Sequence, residues 1–119
     1  TVEGALTLAQ ARSGARAVAG SSLVKSAVHG SDPNWGRIVA ALGRSGVDME
    51  ENRIDLYLDS LRLMKAGRPL PFAKARAKSI LDREGVPIRI CLNLGDSTAT
   101  AWGCDLSEEY VTINSEYTT

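Results

Sequence analysis

One histidine, two cysteines and no Cys-x-x-Cys pair leave the chain without the ligand cluster that a zinc site needs. No apolar run approaches the length of a membrane span, and no basic region leads into an apolar stretch at the N-terminus. Neither a membrane anchor nor a secretory signal is therefore visible. An excess of one charge is also missing, because 14 Lys and Arg balance 14 Asp and Glu. That balance removes any electrostatic reason to expect DNA, RNA or an anionic membrane as a partner. No repeat, low-complexity tract or linker divides the 119 residues. What is left is one domain over 1–119, large enough to bury a core without metal or disulfide support. The cytoplasm is the expected location. Cys91 and Cys104 fall in separate predicted strands, so spacing leaves a disulfide open, while an intracellular setting favours free thiols.

Periodicity predicts the elements. Thr1 to Gly4 reads as the tail of a strand whose upstream part is missing. Leu6 to Ala19 is rich in Ala, Leu and Arg and predicts a helix, weakened at Gly14 by about 1 kcal/mol relative to Ala and stopped at Gly20. Ser22 to Val28 predicts a second helix, capped by Ser21 or Ser22 and ended by Gly30. Asp32 and Pro33 supply a cap and a first helical residue for a third, with Trp35, Ile38, Val39 and Leu42 on its apolar face. The period then changes from helical to alternating. Ile54, Leu56 and Leu58 alternate with Asp55, Tyr57 and Asp59, and Leu61 and Leu63 continue into a paired strand. After a break at 67–71, Phe72, Ala75, Ala77, Ile80 and Leu81 mark a helix ending at Gly85. Val86 to Leu94 form the cleanest alternation, and Gly95-Asp96 turns it toward a strand over 98–104, making a hairpin. By its own pattern this is an α+β fold: N-terminal helices, a mainly antiparallel sheet of about four strands, and a helix between its two hairpins.

Several residue types carry possible chemistry. An N-terminal threonine can use its own amine to activate its hydroxyl, which makes Thr1 a candidate nucleophile; a boundary falling there by chance is the simpler reading. His29 lies four residues after Lys25 on one helix face and is a candidate base, yet a histidine in a last helical turn more commonly meets the final carbonyls. Lys25 is a candidate ammonium beside a solvated-lysine reading. Asp32-Pro-Asn-Trp-Gly-Arg37 combines a cap, a proline, an indole and an arginine. Its architectural reading is favoured over one in which helix-start amides and Arg37 face a substrate carboxylate. Cys91 and Cys104 have no recognisable base in the local sequence and read as small apolar residues.

The ending, Ala99-Thr-Ala-Trp-Gly-Cys-Asp-Leu-Ser-Glu-Glu-Tyr-Val-Thr-Ile-Asn-Ser-Glu-Tyr-Thr-Thr119, joins a short strand to a helix. Asp105 with Glu108 forms a capping box, so the helix is expected from Leu106. Tyr110, Ile113 and Tyr117 mark its buried face, Glu109 and Glu116 point outward, and Asn114 falls near its end. Together with Ser22-Leu-Val-Lys-Ser-Ala-Val-His-Gly-Ser-Asp-Pro-Asn-Trp-Gly-Arg-Ile38, this stretch closely resembles the C-terminal part of the β chain of the ornithine acetyltransferases (glutamate N-acetyltransferases) of arginine biosynthesis.

The resemblance implies an α/β roll and a precursor that cuts itself before a threonine. That new N-terminal residue would be the nucleophile that moves acetyl from N2-acetyl-L-ornithine to L-glutamate, with acetyl-coenzyme A as a further donor in some members. The residues after Thr1, Val-Glu-Gly, do not match those after the family's nucleophile, so no catalytic residue is expected in this segment. The resemblance assigns substrate contact to Asn114 and Thr119: a side-chain amide offers a donor and an acceptor, and a terminal carboxylate suits an ammonium group. It implies no dissociable cofactor and no metal. Its partners would be an α chain and the remainder of the β chain in a two-α, two-β assembly. The segment alone is expected to be inactive. A stand-alone small-ligand-binding or assembly domain is the alternative from a different class.

Overall fold

The computed structural model describes residues 1–104, so the C-terminal helix expected from Leu106, with Asn114 and Thr119, lies outside the described residues. The chain runs β1 (Val2–Ala5), α1 (Leu8–Gly20), α2 (Ser22–His29), α3 (Trp35–Arg44), a 3-10 turn (Glu51–Arg53), β2 (Asp55–Leu58), β3 (Leu61–Lys65), β4 (Arg68–Pro69), α4 (Lys74–Leu81), β5 (Ile88–Cys91) and β6 (Ser97–Ala99). Side-chain oxygens cap the first three helices, since Thr7 accepts from the amide of Gln10, Ser21 from Val24 and Asn34 from Arg37. The cap of α3 is therefore Asn34, not Asp32. Pro33 lies before the helix, and Trp35, its first residue, is exposed. The Asp32 amide bonds the Ala27 carbonyl at 2.8 Å and closes the end of α2. The fourth helix ends at Leu81, short of Gly85, with Asp82 as its last cap.

The six strands form one mixed sheet in the order β4-β3-β2-β5-β1-β6, not a mainly antiparallel sheet of about four. Two strands account for the difference. The N-terminal segment forms β1 in the body of the sheet, parallel to β5 through Val2↔Ile90 and Glu3↔Cys91 and antiparallel to β6 through Val2↔Ala99. The Gly67–Pro71 break also contains β4, a two-residue strand on β3. Because β1 sits between them, β5 and β6 do not pair as the expected hairpin. The Val86–Leu94 alternation narrows to Ile88–Cys91 as regular strand, although the amides of Leu92 and Leu94 continue the ladder onto Glu3 and Gly4 at 2.9 Å each.

Register divides the sheet cleanly into two faces. Val2, Leu56, Leu58 and Ile90 point to one side and join Ala11, Ala15 and Val18 of α1, Ile38 and Leu42 of α3, and Ala77 and Ile80 of α4 in one buried cluster. The intervening residues are polar and half-buried or exposed. Tyr57 lies between two guanidiniums, with the Arg89 carbon 4.2 Å and the Arg62 carbon 5.0 Å from its ring centroid. This is the two-layer solution to an alternating sheet with one apolar face.

Candidate functional site

The residues around Asp32–Arg37 build a closure, not a pocket. Arg37 donates to the Leu23 carbonyl at 3.1 Å, its amide bonds Asn34 Oδ1, and Asn34 Nδ2 reaches Asp32 at 3.3 Å. The space beneath the loop, lined by Val24, Ala27, Ile38, Leu58 and other apolar groups, is about 10 Å³, at the lower limit for a single water. The loop ties α2 to α3 over the core. Lys25, half-buried, and His29, exposed, stand one turn apart on α2.

Thr1 precedes β1 and bonds the neighbouring strand through its backbone. Its nitrogen donates to the Ile88 carbonyl at 2.8 Å, and its carbonyl accepts from Ile90 at 2.9 Å. Its Oγ1 lies 2.8 Å from Thr100 Oγ1.

Both cysteines are free thiols. Cys91 lies on the polar face, where its Sγ donates to Glu3 Oε2 at 3.3 Å. Burial first, then that hydrogen bond, pushes the thiol up to about 11. Such a thiol stays protonated near neutral pH and is a poor nucleophile. Cys104 is exposed. No group of three His, Cys, Asp or Glu suited to a metal occurs among the described residues, and no described helix is long and apolar enough to cross a membrane.

A larger concavity lies at the opposite sheet edge from β4. Beyond β6 the chain follows α1 toward its C-terminal end, where Gly103 fits so closely that an added Cβ would fall 2.4 Å from the Ala19 carbonyl oxygen. Trp102 beside it is 87% exposed, so the regular strand ends at Ala99 and the indole does not enter the core. Between α1 and β6 is a cleft of about 280 Å³ lined by Leu8, Arg12, Arg16, Thr98, Ala99 and Thr100. Neither arginine belongs to a motif in the sequence. Their spacing of four on α1 is the one local signal for them, and nothing local says that β6 lies opposite.

The profile of the ArgJ family matches residues 1–119. The chain belongs to this family. It is 53% identical over 118 residues to the arginine biosynthesis bifunctional protein ArgJ of Parasynechococcus marenigrum strain WH8102, and 51% identical over 118 residues to that of Symbiobacterium thermophilum. Each alignment covers 99% of this chain and 29% of the relative. The chloroplastic protein of Citrullus lanatus is 50% identical over 124 residues, 100% of this chain and 27% of its own length. The crystal structure of the Bacillus halodurans arginine biosynthesis bifunctional protein superposes with a TM-score of 0.91 at 38% identity, over 98% of this chain and 55% of that one. The chain thus spans about 29% of the length of the curated relatives it matches, and the six-stranded mixed sheet is an ArgJ-family architecture.

Proposed function

We propose that this chain is the C-terminal part of the β chain of an acetyltransferase that moves acetyl from N2-acetyl-L-ornithine to L-glutamate in arginine biosynthesis. The observation that carries the reading is the family match over residues 1–119, with relatives about half identical that are named for arginine biosynthesis. The fold supports it through the Bacillus halodurans likeness.

In this reading a threonine hydroxyl from the remainder of the protein attacks the acetyl carbonyl. The ornithine amine leaves with a proton, and the amine of glutamate then takes the acetyl group from the ester. The tetrahedral oxyanion is stabilised by donors outside this segment, and no dissociable cofactor takes part. Asn114 and Thr119 contact the acetylated amino acid, the assembly holds two α and two β chains, and the enzyme works in the cytoplasm. The Cys91 thiol, pushed up to about 11, and the tightly closed Asp32–Arg37 loop are poor candidates for a competing site. Use of acetyl-coenzyme A as a second donor belongs to the same proposal, and the relatives are named bifunctional.

The test uses the intact protein. Asn114→Ala should raise KM for N2-acetyl-L-ornithine about tenfold, equivalent to about 1.4 kcal/mol, while self-cleavage proceeds as before. An unchanged KM and kcat would remove Asn114 from the pocket. Absence of acetyl exchange by the unsubstituted protein would remove the reading itself.

A further inference from the structure

We propose that the cleft between α1 and β6 is an oxyanion-binding site, taking a carboxylate or phosphate group. It is lined by Arg12, Arg16, Thr98 and Thr100 above a small apolar surface of Leu8 and Ala99. Among the described residues two arginines and two threonines line it, and no acidic residue does.

Three arginines of the chain form ion pairs among the described residues. Arg53, Arg83 and Arg89 each meet an acidic side chain, at 3.0 Å on Glu50, 3.0 Å on Asp59 and 3.9 Å on Glu3. Among the described residues no carboxylate lies within ion-pair distance of Arg12 or Arg16. Like charges four residues apart on a helix repel one another, so the pair is unfavourable until an anion lies between them. A guanidinium presents a planar fork of donors that matches both carboxylate and phosphate oxygens, and two forks one helical turn apart can take opposite sides of one anion.

The facing wall adds donors. Thr98 lies in β6 and Thr100 one residue beyond its end, and Thr100 is tied to Thr1 at 2.8 Å. As the last strand in the sheet order, β6 also keeps one edge of main-chain groups without a strand partner among the described residues. A cleft of about 280 Å³ admits a group of this size with part of the molecule that carries it. The inference is independent of the acetyl-transfer reading, since it rests on this wall of the chain alone.

The test is calorimetry of the full-length protein at low ionic strength with inorganic phosphate and, separately, glutarate. Binding of either is expected, and which one binds more tightly assigns the source as a phosphate ester or a carboxylic acid. Arg12→Gln with Arg16→Gln should weaken it at least tenfold, whereas Lys74→Gln with Lys78→Gln, on the remote α4, should not. A readout on the unsubstituted protein guards against misfolding. Phenylglyoxal modification of Arg12 and Arg16, followed by peptide mass spectrometry, should slow at least threefold when the anion is present. No binding of either anion, equal binding by the double variant, or modification that the anion does not slow would overturn the site.

Discussion

At the scale of single residues, environment decides reactivity more than residue type does. Cys91 and Cys104 carry the same thiol, but one donates to Glu3 in a half-buried setting and the other is exposed. Treatment with a disulfide reagent near pH 8 should label Cys104 rapidly and Cys91 slowly. Cys104→Ser should abolish the fast phase. A thiol that ionises near 9 when unfolded and at about 11 when folded keeps its proton in the native state. Its contribution to stability is therefore complete below pH 9 and lost as pH rises toward 11. Urea midpoints of the parent and of Cys91→Ser, compared at pH 8 and pH 11, should show the larger fall in the parent. A second residue-scale constraint is Gly67, whose φ of +76° is accompanied by backbone so close that a Cβ would sit 2.0 Å from the Glu51 carbonyl oxygen. Gly67→Ala should destabilise by about 2–4 kcal/mol, from left-handed backbone strain and displacement of the 3-10 turn, read as a lower urea midpoint.

Capping distinguishes two adjacent polar residues at the scale of the element. Asn34 bonds the Arg37 amide at the start of α3, while among the described residues the Asp32 side chain receives only the 3.3 Å contact from Asn34. Asn34→Ala should cost about 1 kcal/mol, or roughly 3–5 °C in Tm for a domain of this size. Asp32→Ala should cost less, and a thermal melt of each reverses the assignment if the order is inverted. The helices themselves were legible because their signals are local: apolar spacing, Ser21 as cap, Gly30 as stop. The cap of α3 was not, since Asp32, Pro33 and Asn34 all carry start signals. Asp32 is excluded because the first helical residue is Trp35, which puts the Asn34 side chain within reach of the Arg37 amide. Strand β4 escaped for a related reason: a two-residue strand containing Pro69 has no period to read.

The whole molecule sets β5 and β1 side by side within the sheet, flanked by β2 and by the edge strand β6. The Ile90 and Leu92 amides bond Thr1 and Glu3 across this pair at 2.9 Å, and both side chains are buried. Hydrogen exchange should be slowest there and fast in β4 at the edge. Leu56→Ala, at a fully buried position of β2, should cost about 2–5 kcal/mol through a cavity that the rigid sheet cannot close. A loss under 1 kcal/mol by urea unfolding would contradict this packing.

Alternation at Ile54–Leu58 and Val86–Leu94, and the helical spacings before them, are set by nearest neighbours, and they determined which segments are helix and which are strand. The two long motifs also determined family membership, because matched residues in order need no geometry to be recognised. The assignments of Asn114 and Thr119 rest on that same resemblance and fall outside the described residues. Tertiary structure alone decided that Thr1–Ala5 enters between β5 and β6, which turns an expected hairpin into a mixed sheet. It alone brought Arg12 and Arg16 opposite Thr98 and Thr100. Pairing between segments some ninety residues apart depends on which strand edge the closed core leaves available, and no local pattern encodes that.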